Sequence, residues 1–176
     1  MQIRRVVAGE SPQGTATVIS DDFVEPITVS LLRGAEFYAI WGSDTIPELP
    51  DHGHTRNLLD WFPAPGGFRF VVVSLSPDAK VPIQSVDRST ALVELDEKLP
   101  GTREILAAEP SGMHATDTVD YVVILAGEAW LGLDDAEDLL LQSGDTVVLN
   151  GVRHGWRNRG SEPCVMAVAL VGAMRP

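Results

Sequence analysis

The feature that most constrains this chain is the cadence of its second half, where short runs of β-forming residues are each closed by a glycine or an acidic turn. Tyr121–Leu125, Ala129–Leu133, Asp138–Leu141, Thr146–Leu149, His154–Asn158 and Cys164–Val171 read as strands. Segments this short bury little by themselves. Many of them at regular spacing reach a stable core only by stacking as a sandwich or closing as a barrel. Gly127, Gly144 and Gly151 supply the bends that such closure needs.

The first half carries the same signals less regularly. Ile3–Val7 and Thr15–Ser20 flank a Gly-Glu-Ser-Pro-Gln-Gly turn, and Ile27–Leu32 and Glu36–Trp41 flank Arg33-Gly34, so two hairpins are expected. Residues 43–66 form a polar, proline-rich loop that ends at Pro63-Ala-Pro65-Gly-Gly67, and Phe68–Leu75 follows as a strong strand. One short helix is expected over Ser89–Lys98, where Ala91, Leu92, Leu95 and Leu99 recur at helical spacing and Pro100-Gly101 stops the run. The expected organisation is an all-β chain in which residues 1–66, N-terminal strands and loop, pack on a barrel formed by 67–176.

Bulk properties narrow the partners. A chain of 176 residues holds one well-buried core. Its net charge of −12 argues against nucleic acid or an anionic membrane, both of which require clustered Lys and Arg. No apolar run approaches the roughly 20 residues that cross a bilayer, and the first residues lack the apolar stretch of a secretory leader, so a cytoplasmic protein is expected. Cys164 is the single cysteine and lies in an apolar run, which reads as a buried structural thiol.

The chemistry concentrates between Gly112 and Asn158. Side chains alternate across a strand with period two, so His114, Thr116, Thr118 and Asp120 share a face if that stretch is extended, as do His154, Trp156 and Asn158. If both faces look into one barrel, two imidazoles and a carboxylate converge. That set suits Fe(II), Mn(II), Ni(II) or Zn(II) and leaves coordination positions open. A lone strand histidine is more often a hydrogen-bonded core residue, and Asp120 alone would serve as an acceptor for backbone amides. The two histidines in phase with Asp120 favour the metal reading. Thr118, Tyr121, Trp156 and Asn158 are the expected pocket residues, with Tyr121 and Trp156 also readable as plain packing. Arg153, Arg157 and Arg159 read as surface cations paired with acidic neighbours. His52 and His54 have ligand spacing but sit in the polar loop, where solvated residues are expected and a lid is the alternative.

These residues resemble the cupin superfamily. Its first motif runs Gly, five residues, His-x-His, three or four residues, Glu, six residues, Gly. Here His114-Ala-Thr116, three residues, Asp120, six residues and Gly127 follow that spacing. The second motif ends with the spacing of Gly151, His154 and Asn158. His-x-Thr-x-Thr-x-Asp-Tyr is similar to a branch of single-domain bacterial and fungal proteins. The resemblance implies a double-stranded β-helix, or jelly-roll barrel, with an N-terminal β extension. It implies a divalent metal held by His114, Asp120 and His154, with Thr116 as a weak fourth donor, and a homodimer. It departs where the family's second histidine is Thr116, its glutamate is Asp120, and the opening glycine, Gly112, stands two residues before His114.

The expected function is a metal-dependent enzyme acting on a small oxygenated metabolite, oxidoreductase- or dioxygenase-like. The alternatives are a metal-free or metal-assisted dehydratase, isomerase or lyase in the same barrel, with a histidine as general base, and a non-catalytic small-molecule binding protein.

Overall fold

The computed structural model describes residues 1–53, 58–82, 86–107 and 111–176. Among these residues ten strands and two α-helices, with a 3₁₀ turn at Asp78–Lys80, follow in chain order: β1 (Ile3–Glu10), β2 (Ala16–Val24), β3 (Ala35–Ser43), β4 (Phe68–Leu75), α1 (Arg88–Lys98), α2 (Arg103–Leu106), β5 (Thr118–Ala126), β6 (Glu128–Leu133), β7 (Leu139–Gln142), β8 (Thr146–Asn150), β9 (His154–Arg157) and β10 (Cys164–Gly172). β1 and β2 form an antiparallel hairpin. A five-stranded sheet has the order β3-β4-β10-β5-β8, and a three-stranded sheet the order β7-β6-β9, with every pairing antiparallel.

The two larger sheets share one core. Val122 and Ile124 from β5, Cys164 and Met166 from β10 and Ala129 from β6 form a buried cluster, against which Trp156 and Leu141 of the smaller sheet pack. Alternation produces this: along β5, Thr118, Asp120, Val122 and Ile124 are buried while Tyr121, Val123 and Leu125 are exposed. The result is the expected all-β jelly-roll barrel. Gly127 makes the tight β5–β6 turn at φ +72°, where an added Cβ would lie 2.9 Å from the Cys164 Cα. Cys164 is fully buried, and desolvation pushes its thiol up to about 11.

The helix forms where the spacing places it. Asp87 caps it by accepting from the Thr90 amide at 2.8 Å, and its carboxyl is held down at about 2 by hydroxyl and amide donors from Ser89 and Thr90. Leu95 and Leu99 then bury against Val29. This packing explains why the expected strand over Ile27–Leu32 does not form. Ile27 alone bridges to Phe37; Ser30 N–H donates to the Glu94 carboxylate at 2.8 Å, and Leu31 and Leu32 pack beneath α1. The segment exchanges ladder hydrogen bonds for apolar burial under a helix. The hairpin lies beside β3, where the buried Tyr38 hydroxyl donates to the Glu36 carboxylate at 2.9 Å and lies 3.2 Å from the Met1 carbonyl.

No helix among the described residues is long and apolar enough to cross a membrane.

Candidate functional site

β5 and β9 carry the candidate residues into the barrel, joined by a small non-regular pairing. His114 lies just before β5 and pairs with His154 at the start of β9: each backbone N–H donates to the other's carbonyl at 2.9 Å. This bridge sets the rings side by side, with centroids 4.6 Å apart and planes tilted by 50°. Asp120, 5% exposed, lines the same cavity as both rings. The two imidazoles are thus brought together, and Asp120 lines the cavity they share.

Each imidazole is anchored in the same way. His114 Nδ1 lies 3.0 Å from the Gly112 carbonyl, and His154 Nδ1 lies 3.0 Å from the Val152 carbonyl. A carbonyl oxygen only accepts, so each Nδ1 carries the proton and donates it. In the neutral ring Nε2 is then the bare nitrogen. Burial pushes both histidines below their ordinary 6.5, so the neutral form persists to lower pH than in a free side chain. His114 is also coupled to Asp120, which opposes that shift.

Asp120 sits at the end of a hydroxyl ladder. Thr118 Oγ1 donates to Asp120 Oδ1 at 2.5 Å, which leaves the Thr118 oxygen to accept from Thr116 Oγ1 at 2.7 Å. Desolvation raises the Asp120 carboxyl above its ordinary 3.8, opposed by the Thr118 hydrogen bond. Thr116 and Thr118 are themselves buried, 4% and 1% exposed.

The cavity has a volume of about 260 Å³, just below the roughly 300 Å³ at which drug-sized ligand pockets begin. Its walls are apolar and aromatic, with Phe37, Trp61, Phe62, Val71 and Met166 facing the polar trio. Phe37 and Trp61 meet edge to face at 5.7 Å, and Trp156 meets His154 edge to face at 6.2 Å. Gly34 and Val81 close on each other at one side, where the Ser76 amide donates to the Gly34 carbonyl at 2.7 Å.

Several expected pocket residues take other roles. Tyr121 is on the outer face of β5, 51% exposed, because the alternation that turns Asp120 inward turns its neighbour outward. Thr118 holds Asp120 from behind rather than lining the cavity. Asn158 does reach the wall, but its amide is committed: Nδ2 donates to the Leu75 and Glu162 carbonyls at 2.8 and 2.9 Å, and Oδ1 accepts from the Gly160 amide at 2.9 Å. Trp156 lines the cavity as expected. Arg153, Arg157 and Arg159 pair with Asp134, Asp78 and Asp138 respectively. His52 is exposed, its Nδ1 donating to the Glu10 carbonyl at 3.0 Å, and His54 lies outside the described residues.

Sequence reasoning missed the wall supplied by the first half of the chain, Phe37, Trp61 and Phe62. The available signal was a pair of adjacent aromatic residues inside an otherwise polar, proline-rich loop. It also passed over Arg69, an arginine inside an apolar strand and only 2% exposed.

The residues present do not fit the metal centre implied by the cupin resemblance. Among the described residues, no three His, Cys, Asp or Glu side chains form a group that could hold a metal ion. The hydroxyl of Thr116, the remaining donor of that set, is directed to Thr118. What the trio offers is two unprotonated imidazole nitrogens and a carboxyl of raised proton affinity, at an apolar wall.

The topology and this motif geometry decide the architecture. The chain has a cupin-type fold. No family model matches it. It is similar to two Phomopsin biosynthesis cluster proteins, C' and D, of Diaporthe leptostromiformis, each 44% identical over 66 residues that span 35% of this chain and 35% of the relative. It is also similar to Oryzines biosynthesis cluster protein J of Aspergillus oryzae, 42% identical over 63 residues that span 36% of this chain and 35% of that one. The matched segment thus spans about a third of the length of these curated relatives. Similar solved structures include a polyketide cyclase from Streptomyces resistomycificus, 14% identical, covering 84% of this chain and 72% of that one at TM-score 0.46. A cupin-superfamily sugar phosphate isomerase from Silicibacter pomeroyi is 15% identical, covering 84% and 71% at TM-score 0.46. An RmlC-like cupin from Methanocaldococcus jannaschii is 15% identical, covering 60% and 70% at TM-score 0.39.

Proposed function

We propose that this cupin-fold protein is an acid–base catalyst that moves a proton on a small carbonyl-bearing molecule, in an isomerisation, dehydration or cyclisation that needs no metal ion. The supporting observation is the pair of imidazoles whose Nδ1–H groups donate to the carbonyls of Gly112 and Val152, which leaves Nε2 bare in two rings that line an apolar cavity with Asp120. An uncharged nitrogen base in a low-dielectric site, next to a carboxyl with raised proton affinity, is the pairing that proton abstraction beside a carbonyl requires. The names of the curated relatives belong to biosynthesis clusters, which accords with a substrate that is a biosynthetic intermediate.

In this reading His114 Nε2 takes a proton from the carbon beside the carbonyl. The electron pair of the broken C–H bond moves to the carbonyl oxygen. The Asp120 carboxylate, held by the Thr118 hydroxyl, stabilises the histidinium that forms on His114. The histidinium returns its proton to another carbon, or to a departing hydroxyl as water. His114 is preferred as the base because it is the imidazole coupled to Asp120. His154 Nε2, also an acceptor, holds a hydroxyl of the substrate.

The test uses 2-tetralone in deuterated buffer, with exchange at its activated carbons followed by NMR. The protein should accelerate exchange over buffer, and His114→Gln should reduce the acceleration by about 10²–10⁴-fold. Chelator should leave it unchanged. Exchange no faster than in buffer, or activity that disappears in chelator and returns with a divalent ion, would sink the proposal.

A further inference from the structure

We infer that the cavity selects an uncharged, flat aromatic molecule carrying a phenolic or enolic hydroxyl, and discriminates against carboxylates and phosphates. This rests on the reading of His114 and His154 as neutral acceptors and adds to it the class of molecule they hold.

Three observations carry the inference. The first is shape: Phe37, Trp61, Phe62 and Trp156 present aromatic faces and edges around a volume of about 260 Å³, which suits a fused two-ring system better than a hydrated sugar.

The second is charge. A buried anion requires a cation or several convergent N–H donors. Among the described residues lining the cavity the cation is Arg33, whose guanidinium donates to the Pro82 carbonyl at 3.0 Å. Nearby Arg157 donates to Asp78 at 2.8 Å. Asp78 and Asp120 both line the cavity, so an entering anion meets two carboxyl groups.

The third is hydrogen-bond polarity. Both ring N–H groups are taken by backbone carbonyls, so the imidazoles offer acceptors to the cavity. The Asn158 amide donors are taken by Leu75 and Glu162. A ligand that brings its own O–H donor satisfies this lining. One that brings only acceptors leaves both Nε2 atoms without a donor and displaces the water that could supply one, a mismatch that weighs against it.

The experiment compares 2-naphthol, naphthalene, 2-naphthoate and glucose 6-phosphate at pH 7.5, by titration of the tryptophan indole N–H signals in NMR. The naphthol is expected to bind at least tenfold more tightly than naphthalene and than 2-naphthoate, with no shift caused by the sugar phosphate. In His154→Phe the naphthol should lose its advantage over naphthalene. Equal or tighter binding of naphthoate or the sugar phosphate overturns the inference, as does binding of none of the four at millimolar concentration. Should naphthol bind selectively while 2-tetralone exchange stays at the buffer rate, the ligand class stands and the catalytic proposal fails. Rapid exchange with indiscriminate binding gives the reverse.

Discussion

Arg69 and His154 are both withdrawn from solvent in the same barrel, 2% and 3% exposed, yet they use their hydrogen-bonding groups in opposite ways. Arg69 stands beside Leu170 on one side and Asp120 stands beside it on the other, so the two clusters share a row of the sheet. The guanidinium donates to the carbonyls of Ser43, Phe68 and Asp60 at 2.8, 2.9 and 2.7 Å and pairs with the Asp44 carboxylate; its Nε alone lacks a partner. It ties both ends of the loop between β3 and β4 to the barrel. The histidines each make one side-chain hydrogen bond and leave Nε2 for the cavity. A buried polar group with nearly all its donors used is a fastener. One that faces a cavity with capacity in reserve is equipped for a ligand.

Breaking the fastener should have the largest effect. Arg69→Met removes the charge that compensates Asp44 and four hydrogen bonds, and should cost about 3 kcal/mol of stability in urea denaturation. A loss below about 1 kcal/mol would show that the loop is held by other contacts. Next comes the ladder behind Asp120. Thr118→Val keeps the shape and removes the hydroxyl at 2.5 Å, which should cost about 1–2 kcal/mol and raise the Asp120 carboxyl further. Thr118→Ser should restore both. Carbon-13 titration of labelled aspartate reads the shift, and an unchanged Asp120 midpoint in Thr118→Val would remove the ladder from the account.

The smallest expected effect is on the pH dependence of stability. Both imidazoles titrate below 6.5 in the folded chain, so the unfolded chain binds more protons in the interval beneath 6.5. Their contribution is present above 6.5 and is lost as pH falls through the folded values. Asp120, raised above 3.8, has the opposite sign, its contribution being lost as pH rises through its folded value. Replacing both histidines with glutamine should therefore flatten the stability loss on acidification from pH 7 to 5. A wild-type protein that gains stability over that interval would contradict the burial of neutral rings.

The same contrast shows which parts of the molecule were legible in the sequence. The register of β5 follows from period-two alternation, so His114, Thr116, Thr118 and Asp120 could be assigned to one face from their numbers alone. Glycine turns marked the barrel strands. Tyr121 was misplaced because adjacency in sequence means opposite faces in a strand. The strand expected over Ile27–Leu32 gave way to packing under α1, a contact across more than sixty residues that no local pattern encodes. The aromatic wall and the Arg69 fastener are likewise long-range. Both join the 43–66 loop to the barrel, and loop composition does not reveal which of its residues turn inward. The departures at Thr116 and Asp120 were visible in the motif, but their consequence, a hydroxyl ladder in place of a ligand set, required the side-chain geometry.

The central claim is most directly tested by long-range nitrogen-15 spectroscopy of the histidine rings across pH 5–8. The account predicts that His114 and His154 are neutral at pH 7, protonated on Nδ1 with bare Nε2, and titrate below 6.5. Protonation of either ring at pH 7, or a proton on Nε2 in place of Nδ1, would contradict it.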